Sequence, residues 1–310
     1  MSEPIAFLNG KFVPYSQAVL PVTDLGIVAG ASVTEMLRTF RHQPYRVADH
    51  LDRLFQSIDL MEFAVEPDRS QIADAIAQIA ERNSALIPKH DDLGIVAFVT
   101  AGQNLTYLGG KARDRVSDGT VCVHSFPLPF ELWVEKQTHG QSLTSVDVLP
   151  LPAESVSPMA KHRNRIHWLR ADRQARERIP GATALLATPD GSITETSSGN
   201  FHVVKDRSIR TPRTELVLGG ISRLALKELA EAEGLHWSEA NITADEVRSA
   251  DEAFTTSTPS CLLPVTRFND SPVGTGQPGP VFCQLITAWS NQVGLDIVQQ
   301  AVDVARERGS

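Results

Sequence analysis

This chain is poor in the residues that mark several whole classes of protein. Cysteine occurs three times, at Cys122, Cys261 and Cys283, far apart and never in a CxxC spacing. That pattern supports neither a disulfide framework nor a thiolate zinc site, and it points to a reducing compartment, the cytoplasm. Cys122, within Val121-Cys122-Val123, reads as a small buried hydrophobe. The nine histidines form no HxxxH pair, so no metal site is expected. Positive charge is also short: 29 Lys and Arg stand against 37 Asp and Glu, a net charge of −8. An acidic chain lacks the basic face a phosphate backbone needs, which excludes nucleic acid as the main partner. No apolar run approaches the roughly 20 residues that cross a bilayer. Met1-Ser2-Glu3-Pro4 shows no basic stretch before an apolar run, so no export signal is expected.

What remains is an ordinary globular composition, 42% hydrophobic and 21% charged, over 310 residues, a length suited to two modest domains. Ile5–Leu8, Asn9-Gly10 and Lys11–Val13 predict a hairpin, because Asn and Gly both tolerate positive φ. A second hairpin is predicted from Val33 to Val47, turning at His42-Gln43-Pro44. Leu51, Leu54, Phe55, Ile58 and Met61 repeat at helical spacing, as do Ile72, Ile76 and Ile79. Leu93–Val99 and Val121–Phe126 read as buried strands.

Residues 1–126 therefore form a small α/β domain. Residues 127–132, opening with Pro127-Leu128-Pro129-Phe130, form a stiff linker, and 133–310 a larger second domain. In the second domain the pattern predicts a strand at Leu143–Val148 and a helix at Asn164–Arg178. It also predicts an amphipathic helix at Ile221–Glu233 stopped by Gly234, and a last helix near Val281–Val293. The fold class is α/β (α+β).

Four short segments gather small, hydroxyl and charged residues at expected turns: Met159–Arg165, Ile193–Asn200, Leu218–Arg223 and Thr255–Ser260. The third carries a physical meaning of its own. Gly219 and Gly220 before a helix leave backbone N–H groups bare, the helix dipole favours an anion there, and Ser222 adds a donor.

Taken together, these segments resemble the class IV, fold-type IV aminotransferases, which include branched-chain and D-amino-acid aminotransferases and aminodeoxychorismate lyases. His50-Leu51-Asp52-Arg53-Leu54 is similar to the family's HxxRL element, and Thr194–Phe201 to its TEGxxxNxF strand-turn. Gly220-Ile221-Ser222-Arg223 resembles GITR, and Ser257–Val265 resembles the hydroxyl loop ending in ITPV. The resemblance implies two α/β domains with pyridoxal 5′-phosphate at their interface, and dimers in which each partner completes the other's active site.

The resemblance also implies roles. Lys161 falls on the Schiff-base lysine, and Arg163 and Arg165 nearby favour its neutral form. Glu195 falls on the carboxylate that pairs with the pyridine nitrogen and keeps the ring an electron sink. Arg53 matches the arginine that clamps the phosphate, with Gly220, Ile221 and Ser222 at the helix start and Ser257 and Thr258 in the hydroxyl loop. The implied reaction is ping-pong transfer of an amino group between an amino acid or amine and a 2-oxo acid. A lyase releasing pyruvate and a non-catalytic cofactor-binding relative remain as alternatives.

Thr34, Arg38, Thr106 and Pro259 fall on the substrate side. Ser32–Arg38 resembles the branched-chain VFEGIR strand, so Arg38 either binds a substrate carboxylate or pairs with Glu35 or Glu62. Thr34 stands where an aromatic is usual, and Ile166 where branched-chain enzymes have tyrosine. The lysine segment, Lys161–Ile166, is nearer the KHLNRL of the lyases. Leu105–Leu108 lacks the arginine and histidine that D-amino-acid enzymes carry there.

Overall fold

In a computed structural model, residues 3–107 and 119–309 are described. The chain divides into two compact units, Met1–Leu128 with Ala160–Asn164, and Pro129–Met159 with Arg165–Ser310.

The first unit is built on a six-stranded sheet in the order β2-β1-β6-β5-β3-β4. Its strands are β1 (Ile5–Leu8), β2 (Lys11–Pro14), β3 (Ser32–Phe40), β4 (Gln43–Pro44), β5 (Leu93–Thr100) and β6 (Val121–Pro127). The short α1 (Leu25–Val28) precedes β3, and α2 (Val47–Leu60) and α3 (Arg69–Ser84) lie between β4 and β5. Asn9 (φ 46°) and Gly10 (φ 84°) make the expected turn, holding Leu8 opposite Lys11. The second expected hairpin forms too, but it turns at Arg41 and His42 (φ 52° and 66°), and Gln43-Pro44, expected in the turn, are its two-residue returning strand.

One face of the sheet is buried under α2 and α3. Leu51, Leu54 and Ile58 from α2 and Ile72, Ile76 and Ile79 from α3 meet Val33, Leu37, Ile95, Ala97, Val99 and Val123. The helical spacing of the first two groups and the alternation of the strand residues are both explained by this one layer. The other face carries Met36, Val96, Phe98, Cys122 and Phe126.

The residues expected to form a linker are packed. Leu128 is fully buried and its N–H donates to Asp92 O, while the Phe130 ring sits 5.5 Å from that of Trp133.

In the second unit nine strands form one sheet, ordered β12-β11-β10-β13-β14-β7-β8-β9 with β15 on β14. They are β7 (Gln141–Ser145), β8 (Thr183–Ala187), β9 (Ile193–Thr196), β10 (Asn200–Lys205), β11 (Ser208–Thr211), β12 (His236–Glu239), β13 (Glu252–Ser257), β14 (Cys261–Phe268) and β15 (Ser271–Pro272). A further pairing of β9 with β10, through Glu195 and Asn200, closes six of these strands into a ring. Leu143, Leu185, Ile193, Phe201, Val203, Val265 and Phe268 fill it.

The helices of this unit are α4 (Val134–His139), α5 (Ile166–Arg178), α6 (Ile221–Ala232), α7 (Ala244–Ser249), α8 (Pro280–Val293) and α9 (Ile297–Gly309). Val281–Val293 is therefore not the last helix. Gly294 ends α8 with φ 67°, and α9 follows within a few residues. Its apolar positions, Ile297, Ala301 and Val304, recur at helical spacing between polar residues. No helix among the described residues is long and apolar enough to cross a membrane.

The core of the first unit gives a direct test. Ile76 is fully buried between α3 and the sheet. Ile76→Ala should cost about 2–5 kcal/mol of stability, read as a lower midpoint of denaturant unfolding. An unchanged midpoint would contradict this packing.

Candidate functional site

In the first unit the candidate residues converge on β3. Strand alternation turns Glu35 toward α2, where it is buried, and leaves Thr34 half-buried on the opposite side. Helical spacing brings His50, Arg53 and Ser57 to one face of α2. Arg53 donates to Glu35 through Nε and Nη2, each at 2.7 Å, a bidentate pair. His50 Nδ1 lies 2.7 Å from the same carboxylate. Burial pushes Glu35 upward, but the Arg53 charge and the hydrogen bonds from Arg53 and His50 prevail and bring it down to about 2. His50 is lowered, first by burial, so it is neutral near pH 7. An ionised carboxylate only accepts, which assigns the His50 proton to Nδ1.

Lys161 is fixed by its backbone in the same place. Its N–H donates to Ser57 Oγ at 3.1 Å, and Ser57 in turn donates to Arg53 O at 2.7 Å. Lys161 O accepts from Thr34 N–H at 2.8 Å, and Arg163 N–H donates to Ser32 O at 2.9 Å. Residues 161–163 thus run antiparallel to the start of β3, around a bridge between Val33 and His162. This is why Ala160–Asn164 groups with the first unit, although sequence order places it in the second domain. The Lys161 charge also reaches His50 and helps keep that imidazole neutral.

The other candidates of this unit lie elsewhere. Arg38 is almost fully buried, with its guanidinium 4.0 Å from the Phe40 ring and Nη2 3.9 Å from Asp92. The carboxylate it meets is Asp92 rather than Glu35, which Arg53 and His50 already occupy. Thr106 is exposed and its N–H donates to Asn104 Oδ1 at 3.0 Å. Leu108, at the end of that segment, lies outside the described residues.

In the second unit the candidates gather at the seam that closes the ring. Asn200 Nδ2 donates to Glu195 Oε2 at 3.0 Å and to Leu218 O at 2.8 Å, and Leu218 N–H donates to Glu195 Oε2 at 3.3 Å. Glu195 is half-buried and held by these donors. Arg165 donates to Ser197 O and lies near enough to Glu195 for its charge to be felt. Asn200 is also the partner of Thr256 on β13, so the register brings the Ser257–Ser260 turn to the same end of the ring. There Ser257 and Ser260 hydroxyls are 2.7 Å apart, and Thr258 and Pro259 are half-buried.

The start of α6 follows from Gly220. A Cβ at that position would collide with Asn200 Oδ1, so glycine is what lets the helix begin against the Asn200 amide. No side chain caps this end, and Ile221 and Ser222, whose N–H groups open the helix, are both buried. Their donors and the positive end of the helix dipole suit an anion. Arg223 is buried as well, but it turns away to Thr214 Oγ1, Pro212 O and Glu239.

The sequence motifs therefore point to Arg53, Lys161, Glu195, Gly220, Ile221, Ser222, Ser257 and Thr258, and miss the residues that orient them. Glu35, His50 and Ser57 fix Arg53 and the lysine segment, and Asn200 fixes Glu195. His50 and Ser57 flank Arg53 at helical spacing, a signal that is readable in the sequence. Nothing local links Glu35 to Arg53.

Two features of this geometry can be tested. Glu35 has a folded value near 2, below its ordinary 4.5, so its contribution is complete above pH 4.5 and lost as pH falls toward 2. The lowered His50 acts in the same direction, since unfolding lets it take up a proton below its ordinary 6.5. Stability should fall on acidification by about 3 kcal/mol from Glu35 alone, and Glu35→Gln should flatten that acid limb. The second concerns the seam: Gly220→Ala should displace the Asn200 amide and lower the melting temperature, measurable by calorimetry.

Residues 32–268 match the family model described as amino-transferase class IV. The D-alanine aminotransferase of Bacillus licheniformis is 27% identical over 288 residues, covering 92% of this chain and 95% of that one. The branched-chain-amino-acid aminotransferase-like protein 1 of Arabidopsis thaliana is 26% identical over 92% of this chain, which spans 50% of that longer protein. Among solved structures, the branched-chain aminotransferase of Thermoproteus uzoniensis with norvaline superposes with a TM-score of 0.82. It is 22% identical, with 94% of this chain and 96% of that one covered, a likeness of fold.

Proposed function

This chain belongs to the amino-transferase class IV family, and on that premise we propose that it is a pyridoxal 5′-phosphate-dependent transaminase using Lys161. It would move an amino group between an amino acid or amine and a 2-oxo acid. The observation that carries this reading is the seam of the second unit, where a carboxylate fixed by the Asn200 amide stands at one end of the ring with an uncapped helix start. A half-buried anion suits a protonated ring nitrogen, and bare N–H groups suit a phosphate.

When bound, the cofactor supplies an electron sink for the charge left as a substrate proton departs. The chain's own residues would do the rest. Lys161 would hold the cofactor, and its Nζ, when neutral, would be the base that takes up the departing substrate proton. Glu195 would keep the ring nitrogen protonated, with Asn200 and Leu218 N–H fixing the carboxylate. Arg53, Ile221, Ser222 and Thr258 would bind the phosphate, with Gly220 and Ser257 shaping its surroundings. Glu35 and His50 hold the Arg53 fork in one orientation, and the Glu35 carboxylate offsets the Arg53 charge. Thr34, Thr106 and Pro259 would line the substrate side, and Arg38, tied to Asp92, would act there through packing.

We also propose a homodimer, as the resemblance implies, and a cytoplasmic location, which three free cysteines support. Light scattering of the purified protein should give twice the chain mass of 33.8 kDa.

The decisive experiment mixes holoenzyme with L-amino acids, D-amino acids and (R)-amines in turn. The cofactor's visible band should convert to the pyridoxamine phosphate spectrum, with release of an equivalent oxo compound. Lys161→Ala should lose the visible band and slow this half-reaction by at least about 10²–10⁴-fold, the range of a positioned acid–base group. Pyruvate release without any second oxo acid would favour the lyase reading. Absence of the band in wild type incubated with cofactor would refute the assignment.

A further inference from the structure

We propose that Arg163 is the residue that binds the carboxylate of the amino-acid substrate. This rests on the transaminase reading above and specifies its substrate class: amino acids and 2-oxo acids rather than uncharged amines.

The geometry lies within the first unit. Thr34 N–H to Lys161 O and Arg163 N–H to Ser32 O flank the bridge between His162 and Val33. Pleat alternation then turns the His162 side chain to the helix-covered side with Val33, and those of Lys161 and Arg163 to the other. The Arg163 guanidinium agrees with this placement, lying 4.7 Å from the ring centroid of Phe98. Phe98 pairs with Thr34 on one side and Cys122 on the other, so all three share the face opposite α2 and α3. On either side of the bridged His162, Lys161 and Arg163 are about 7 Å apart at Cα, and the same alternation would put both side chains on that face. A small ligand with an amine at one end and a carboxylate a few bonds away spans that interval.

Charge supports the same assignment. No acidic side chain among the described residues pairs with Arg163; what acts on it is desolvation first, then the Cys122 thiol. That thiol is pushed up by burial to about 11 despite Arg163, so it is neutral. His124, beside Phe98, is lowered by burial and then by Arg163, and is neutral as well. Arg163 therefore holds its guanidinium on an aromatic face, with no acidic partner among the described residues. Arg38, the other arginine placed on the substrate side, has Asp92 as its counter-charge. The segment from Leu105 to Tyr107 offers no cation at all.

The test uses holoenzyme and valerate, a carboxylate that carries neither amine nor carbonyl and cannot react. Wild type should bind it, and Arg163→Gln should weaken the Kd by roughly 10–100-fold, the worth of one charge-assisted hydrogen-bonded contact. Arg163→Lys should recover part of the loss, keeping the charge but not the fork. The KM for the best amino-acid donor should rise in parallel, with kcat changed less, and an unaltered melting temperature would exclude misfolding. Equal valerate affinity in wild type and Arg163→Gln, or no binding by wild type, would overturn the proposal. So would a loss of pyridoxal phosphate affinity as large as the loss of valerate affinity. Valerate binding that depends on Arg163 in a protein transferring no amino group would retain this site and remove the transaminase reading.

Discussion

A carboxylate buried in the first unit sets the constraint on which its candidate site depends. Glu35 is 1% exposed, and an ion so placed is tolerated only with excellent partners. Its partners, Arg53 and His50, both come from α2, so satisfying the charge also fixes how that helix docks on β3. Ser57, one turn beyond Arg53, then receives the backbone of Lys161. Removing one partner would leave the others uncompensated in a low-dielectric interior. The arrangement holds as a set.

The second unit solves a comparable problem with a neutral group. Asn200 presents its amide to Glu195 on one side and to the chain before α6 on the other. The same residue closes the ring of strands by pairing with Glu195 through its backbone. An amide can do this because it donates twice and accepts, whereas a carboxylate at this position would repel Glu195. Orientation of the carboxylate, closure of the ring and the glycine at position 220 are therefore one structural requirement.

The match to class IV fixes the family, and three residues near Lys161 in sheet or sequence bear on the proposed substrate side. Thr34 is small, and its hydroxyl donates to Ala97 O on the neighbouring strand at 3.0 Å. Ile166 is exposed at the first position of α5. Arg163 is a cation two residues from the lysine. On the proposed reading these residues bear on which substrate is held rather than on the cofactor.

Much of this is readable in the residues. The Asn-Gly hairpin, the periodic apolar positions of α2, α3 and α6, and the glycine-led start of α6 are local properties, decided by φ preferences and by which face must leave water. The helix Ile297–Gly309 is equally local, but its charged and polar residues dilute the apolar stripe and hide it. Motif order likewise picks out Arg53, Lys161, Glu195 and Ser222. Other features depend on residues distant in sequence: the pairing of Glu35 with Arg53, of Arg38 with Asp92, and of Asn200 with Leu218 at the start of α6. So does the return of 160–164 to the first sheet, where the open backbone edge of β3 accepts it. Residue identity alone determines which side chains can carry a charge or a proton. Only the folded chain, by burying some of those charges beside partners and leaving others at the surface, decides which are spent on structure.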